Sequence, residues 1–419
     1  MKNYFLILAA LCCVLFIGCK KEEITIDPKM PDNPAQAFPD RLFREYVLSN
    51  FDTDGNGKIS EEEALAVTEI RVYYEYIKSL DGIQYFKNLT SLNCGYNQLT
   101  DLDVSKNTKL TLLACGNNQL TNLDLSKNTK LDTLSCYSNS FMNLDVSQNT
   151  ELIFLACGNN QLTGLDVSKN TKLKELHCSD NKLTSLDVSK NTELTDLRCS
   201  GNQLTALDVS KNTELKYLYC DFNQLTTLDV SKNTALRVLW CEYNQLTSLD
   251  VSKNTELLEL YCYYNQLTTL DLSKNTKLDW LGCDSNQLTT LDLSKNTELT
   301  ELNCDSNQLT TLDVSKNTEL TKLHCSDNQL TTLDVSKNTA LTRLSCYSNQ
   351  IEELDLSKTN LVNSSYNKDS SSFYPLDCAP METLKKVYLK KGWSIKWITD
   401  DWNRSSSYIP NHTEIIFVD

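Results

Sequence analysis

Histidine is nearly absent from this 419-residue chain, which carries 3: His177, His324 and His412. A Ser/His/Asp triad or a histidine-rich metal centre therefore has little material, and no nucleophile, base and orienting group recur together along the sequence. Basic side chains are also in the minority, 40 Lys and Arg against 55 Asp and Glu, and the formal charge of −15 is spread along the whole length. Such a chain repels phosphate, which argues against nucleic acid as a partner. Beyond the N-terminus, no run approaches the ~20 apolar residues that a spanning helix requires. The sequence does not favour an enzyme.

What is present begins with an export signal. A charged start, an apolar run from Tyr4 to Ile17 and then Gly18-Cys19 predict a signal peptide over residues 1–18. Leu15-Phe16-Ile17-Gly18-Cys19 resembles the lipobox of bacterial lipoproteins, which implies acylation of Cys19 and a membrane anchor at the outer membrane or cell surface. Residues 19–38, with Pro28, Pro31 and Pro34, predict an extended tether.

Residues 39–66 switch to a helix–loop–helix pattern, with Asp40 as N-cap and Leu42, Phe43, Tyr46, Val47 and Phe51 at helical spacing. The loop from Asp52 to Glu63 reads DTDGNGKISEEE. Oxygen donors fall at Asp52, Asp54, Asn56, Ser60 and Glu63, Lys58 offers its carbonyl, and Gly57 stands where the sharp turn needs a residue without a Cβ. This matches the EF-hand pattern and predicts one structural Ca2+ site.

The dominant feature is self-similarity with a period of 21. Thirteen copies of LxxLxCxxNxLTxLDVSKNTx run from Leu89 to Asn360, the last one residue short, with cysteine at position 6 from Cys94 to Cys346. Positions 4 and 6 alternate with 3, 5 and 7, so each unit carries a short strand with one buried face, and units that cannot bury their leucines alone must stack. At about 4.8 Å per coil the thirteen span roughly 60 Å. The asparagine at position 9 has an amide suited to satisfying backbone groups where the chain leaves the sheet, and the aspartate at position 15 can cap the turn that follows.

The string LxxLxCxxNxL resembles the leucine-rich repeat, with cysteine in place of one leucine. Val67, Ile70, Val72 and Ile77 fill the apolar positions of one further, 22-residue unit directly after the helical segment. An EF-hand-like cap fused to such repeats is similar to the front of internalin-type bacterial surface proteins. The expected fold is a repeat solenoid: a leucine-rich-repeat horseshoe or rod with a parallel β-sheet on one face, over residues 67–367. Its last unit is degenerate, at Leu361, Ser364 and Tyr366. Residues 368–419 abandon the period and predict a small β-rich C-terminal cap, with Trp393, Trp397 and Trp402 available to cover the last coil.

Thirteen equivalent cysteines cannot all pair, and parallel neighbouring strands set their Cβ atoms side by side, so buried free thiols are expected. His177 and His324 share position 5 seven coils apart, about 34 Å at the same rise, and are expected to face solvent. The units differ from one another at positions 3, 5, 7 and 8, which are taken to face outward. Here units seven to ten gather Tyr217, Tyr219, Phe222, Trp240, Tyr243, Tyr261, Tyr263, Tyr264 and Trp280, interleaved with Asp221, Glu242, Glu259 and Asp284. Core packing offers no reason for such a patch. It predicts a non-catalytic recognition or adhesion surface for an extracellular glycan or protein; the alternative is an architectural spacer without a specific ligand.

Overall fold

The computed structural model describes residues 29–361, 376–378, 381–391, 409–410 and 412–419. The signal peptide, Cys19, Ser364, Tyr366, Trp393, Trp397 and Trp402 lie outside them. Position 3–5 of every unit forms a three-residue strand, from Glu69–Arg71 through Ser91–Asn93 to Arg343–Ser345, and each pairs in parallel with the next. Leucine sits opposite leucine throughout, as in Leu218 beside Leu197 and Leu239. This is the parallel-strand solenoid expected. Leu at positions 1, 4 and 11, Cys at 6 and Val or Leu at 16 are buried in one continuous core, Cys94 to Cys346 included.

Two asparagine ladders tie coil to coil. At position 9, Asn223 Nδ2 donates to the carbonyls of Cys220 and Asp221 in its own coil and of Cys199 in the coil before. Its Oδ1 accepts from Leu204 N. The second ladder, at position 19, escapes a reading that sees only a turn: Asn233 is fully buried, and its Nδ2 donates to Val209 O at 2.9 Å and Asn212 O at 2.8 Å. Position 15 acts as expected, with Asp229 Oδ1 accepting from Ser231 N at 2.9 Å.

Helices α1 (Pro34–Ala37), α2 (Arg41–Phe51) and α3 (Glu61–Ala66) close the N-terminal end. The tether thus stops earlier than its composition suggests. Asn33 caps α1, and Phe38 is buried among Phe43, Tyr85 and Phe86. Gly82, at φ +106°, makes room for it, because a Cβ there would collide with the Phe38 ring and the Ala37 carbonyl. Asp40 caps α2 and also accepts from Lys78 N at 3.0 Å, while Tyr46 Oη accepts from Arg71 N. The cap is hydrogen-bonded to the first coil.

At the other end the chain does not simply cover the last coil. Leu376–Asp377 adds a fifteenth strand beside Leu344–Ser345, and a second parallel sheet forms from Glu353–Asp355, Lys386–Lys390 and Glu414–Val418. The β-rich character expected after residue 368 is met by these strands, and Leu361 is buried. Among the described residues no helix is long and apolar enough to cross a membrane.

Burial pushes the ladder thiols up, Cys115 and Cys157 to about 12, and alkylation requires the thiolate. The folded protein should therefore leave the thirteen ladder cysteines unlabelled by iodoacetamide and release them all on denaturation without reductant, as counted by mass spectrometry. Cys241→Ser, which places a hydroxyl in an apolar layer, should cost about 1–3 kcal/mol in denaturant unfolding.

Candidate functional site

Because strands of neighbouring coils lie side by side, large side chains at equivalent outer positions must touch. At position 5, Tyr219 meets Trp240 at 5.0 Å edge to face, and Trp240 meets Tyr261 at 4.8 Å and 51°. Tyr261 then stacks on Trp280, a position 3 residue, at 4.2 Å and 20°. Charges close both ends of this row. Arg198 lies 4.9 Å over Tyr219 and is paired with Asp196, while Trp280 Nε1 donates to Glu301 at 2.6 Å, which in turn pairs with Lys322.

A second row runs along the rim at position 8. Phe222 stacks on Tyr243 at 4.2 Å and 16°, and Tyr243 on Tyr264 at 4.5 Å and 10°. Position 8 is left-handed in every repeat from Tyr96 to Ser348, with φ between +48° and +62°. Asn, Asp, Ser and Gly occupy it in nine other coils, as that conformation favours, and Tyr96 in the first. An aromatic side chain there costs about 1 kcal/mol or more, so these rings stand where the backbone opposes them. They remain 52%, 37% and 49% exposed.

The expectation that position 7 faces outward is wrong. Where the strand ends, the backbone turns this residue partly under the rim, so Asp221 and Glu242 are buried, and Tyr263 and Asp284 half-buried. Asp221 accepts from the Ser200 hydroxyl and Asp284 from Asn303 Nδ2 at 2.9 Å. Tyr263 Oη lies 3.4 Å from Glu242 Oε1, and Glu242 Oε2 has no hydrogen-bond partner among the described residues. Burial pushes the Glu242 carboxyl up to about 8, reinforced by the charges of Asp221 and Asp284. Burial likewise lifts Asp284 to about 6 and Asp305 to about 7.

Of the residues expected to form the patch, eight aromatics join these contacts, and Tyr263 bridges the rows by meeting both Tyr243 and Tyr261. Tyr217 and Glu259 sit at position 3, half-buried, and Tyr217 enters no ring contact among the described residues. Six of the nine aromatics are half-buried, and all of these but Tyr217 lie against another ring. Sequence reasoning missed a second cluster near the N-terminus. Tyr74 stacks on Tyr96 at 4.4 Å with Tyr73 against both, Tyr74 and Tyr76 also have positive φ, and Tyr73, Tyr74 and Tyr76 are exposed. Aligning the 22-residue unit with the others would have placed Tyr74 on the same rim. His177 and His324 are half-buried rather than solvent-facing, because neighbouring position 3 and 5 side chains crowd them.

In the loop after α2, carboxylate oxygens of Asp52, Asp54 and Glu63 lie within 4.8 Å of one another. Gly57 has φ +77°. Glu63 accepts from Ser60 N and Oγ and from Thr53 N and Oγ1, bonds that hold its carboxyl down at about 2. Asp52 and Asp54 accept from Asn56 N, and Asn56 Oδ1 accepts from Lys58 N at 2.8 Å.

Comparison with models of known protein families finds no match. Among solved structures, the functional domain of InlJ from Listeria monocytogenes, described as including a cysteine ladder, is 35% identical. It superposes with a TM-score of 0.72 over 87% of this chain and 84% of that one. The chain belongs to the internalin-like leucine-rich-repeat proteins. An internalin (inlF) from L. monocytogenes strain 4b F2365 is 26% identical, with a TM-score of 0.63 over 85% of this chain and 97% of that one. Internalin J of L. monocytogenes serotype 4b (strain F2365) is 40% identical over 71 residues, which are 17% of this chain and 8% of that relative's length. Leucine-rich-repeat domains of this kind are typically protein-binding modules.

A raised carboxyl pKa means that folding favours the protonated acid. The Glu242 contribution is therefore complete below its ordinary value of 4.5 and is lost as pH rises towards about 8. The melting temperature of this internalin-like domain should fall between pH 5 and 9. Glu242→Gln, read by calorimetry, should raise it at pH 9 by on the order of a few degrees and flatten the profile.

Proposed function

We propose that this chain is a lipid-anchored, cell-surface recognition module that binds an extracellular protein through the aromatic rows of units seven to ten. The observation that carries the reading is the triplet Phe222, Tyr243 and Tyr264, kept exposed at left-handed positions that Asn, Asp, Ser or Gly fill in nine other coils. Stacking favours a protein over a glycan. The rings at positions 5 and 8 lie against each other, with Tyr261 on Trp280 and Tyr243 between Phe222 and Tyr264, so the faces turned to a neighbouring ring are closed to a sugar. Sugar rings stack on faces; protein hot spots use the whole amphipathic side chain. Glu259, half-buried beside the rows, suits a partner segment carrying Lys or Arg.

The proposal includes a signal peptide over 1–18, an anchor at Cys19, and a structural Ca2+ held by Asp52, Asp54 and Glu63 in the cap over 39–66. That donor set is all oxygen, as calcium prefers, and the ion would offset the mutual repulsion of the three carboxylates. Asp52→Ala with Glu63→Ala should abolish any calcium-dependent rise in melting temperature, and an unchanged response would remove the assignment.

To test the surface, Tyr219→Ala/Trp240→Ala/Tyr261→Ala and, separately, Phe222→Asn/Tyr243→Asn/Tyr264→Asn are measured for binding to an array of extracellular proteins and polysaccharides. Each should weaken binding by about tenfold or more, or 1.4 kcal/mol, and the asparagine triplet should leave the melting temperature unchanged or higher. Unfolding of the asparagine triplet would identify the rows as a packing ladder and favour an architectural spacer. Retention only of a polysaccharide ligand, lost in both variants, would favour a glycan.

A further inference from the structure

Outside the aromatic rows, one cluster joins a histidine to two carboxylates. On the strand Glu175–His177, Glu175 and His177 occupy positions 3 and 5 and share the outer face; the strand Asp196–Arg198 lies in register beside it, with Glu175 opposite Asp196. His177 Nε2 is shut off from solvent and has no hydrogen-bond partner among the described residues. It lies 3.9 Å from Glu175 Oε2 and 3.7 Å from Asp196 Oδ2, too far for hydrogen bonds to either. One ligand atom from each of the three residues falls within 4.8 Å of the others.

The surroundings hold these groups in place. Arg198 grips Asp196 through Nη2–Oδ2 at 2.8 Å and Nε–Oδ1 at 3.1 Å, and the Phe154 ring meets the imidazole at 5.2 Å and 79°. Asp196 is 8% exposed, whereas the Glu175 side chain is 47% exposed and leaves a way in from solvent.

We propose that Glu175, His177 and Asp196 form a binding site for a divalent transition-metal ion of the zinc type. A solvent-excluded imidazole nitrogen facing two carboxylate oxygens lacks what such an ion supplies. Bonds of about 2.0–2.1 Å to nitrogen and oxygen set ligand atoms roughly 3.3–3.5 Å apart in a tetrahedron, against 3.9 and 3.7 Å from His177 Nε2 to the two carboxylates and no more than 4.8 Å between any two of the three ligand atoms. An imidazole donor selects against calcium and magnesium, and Arg198 is the outer partner that orients a ligating carboxylate. The fourth position opens outward, one coil from Tyr219, over which Arg198 also lies. The other ladder histidine, His324, has Lys322 and Arg343 beside it, cations that disfavour a metal there.

Zinc chloride alone, titrated by calorimetry into the full chain in excess calcium to fill the Asp52 loop, should show one zinc per chain. His177→Ala should weaken it by about tenfold or more, and His324→Ala should leave it unchanged. On the wild type, the imidazole signals of His177, and not those of His324 or His412, should shift in NMR spectra on adding zinc. Because Glu175 is exposed, Glu175→Gln tests the site should His177→Ala fail to fold, and it should also weaken binding. Absence of zinc binding by the calcium-loaded wild type, equal affinity in His177→Ala or Glu175→Gln, or unmoved His177 signals would each overturn the proposal.

Discussion

No 21-residue coil of this chain can bury its own leucines, so every coil depends on the one before and the one after. The contacts that make the dependence specific are polar. Asn223 satisfies carbonyls of its own coil and of its neighbour, and Asn233 does the same on the return side with two carbonyls of the preceding coil. Leucine packing alone tolerates sliding, whereas a buried amide whose partners lie 2.8–3.1 Å away does not. The two ladders therefore fix the register on which every outer side chain depends.

An array locked in this way leaves its ends exposed to the same problem, and the chain solves it differently at each. The N-terminal helices bury Phe38 and Phe43 and reach the first coil through Asp40 and Tyr46. The far end continues the main sheet with Leu376–Asp377 and opens a second one on Glu353–Asp355. In both cases unpaired edge groups are met by a partner rather than left to pair with another molecule.

The outer positions are released from packing, and there the coils differ. What accumulates is not a flat display. Rings from successive coils are forced together, the rim backbone is left-handed, and a row of acids is drawn beneath it, with Glu242 buried and lacking a partner for one oxygen. Arg198 links the aromatic row of units seven to ten to the His177 cluster one coil earlier, since it lies over Tyr219 while holding Asp196.

The repeat itself was legible because each buried position is filled by a residue type that recurs every 21 residues: Leu92, Cys94, Asn97 and Leu99 name their roles by repetition. The two helices around the loop from Asp52 to Glu63 were legible for a related reason, since the Asp40 and Ser60 caps and the apolar spacing are local in sequence. The direction of a side chain at a strand's end was not, because alternation holds only while the backbone stays extended; this is why Asp221 and Glu242 were placed outside and are found inside. Nor could the sequence bring Glu175 and His177 to Asp196, about a whole coil away along the chain. Composition and period decide that a solenoid forms, while the lateral pairing of strands, which is tertiary, decides which of its outer side chains meet.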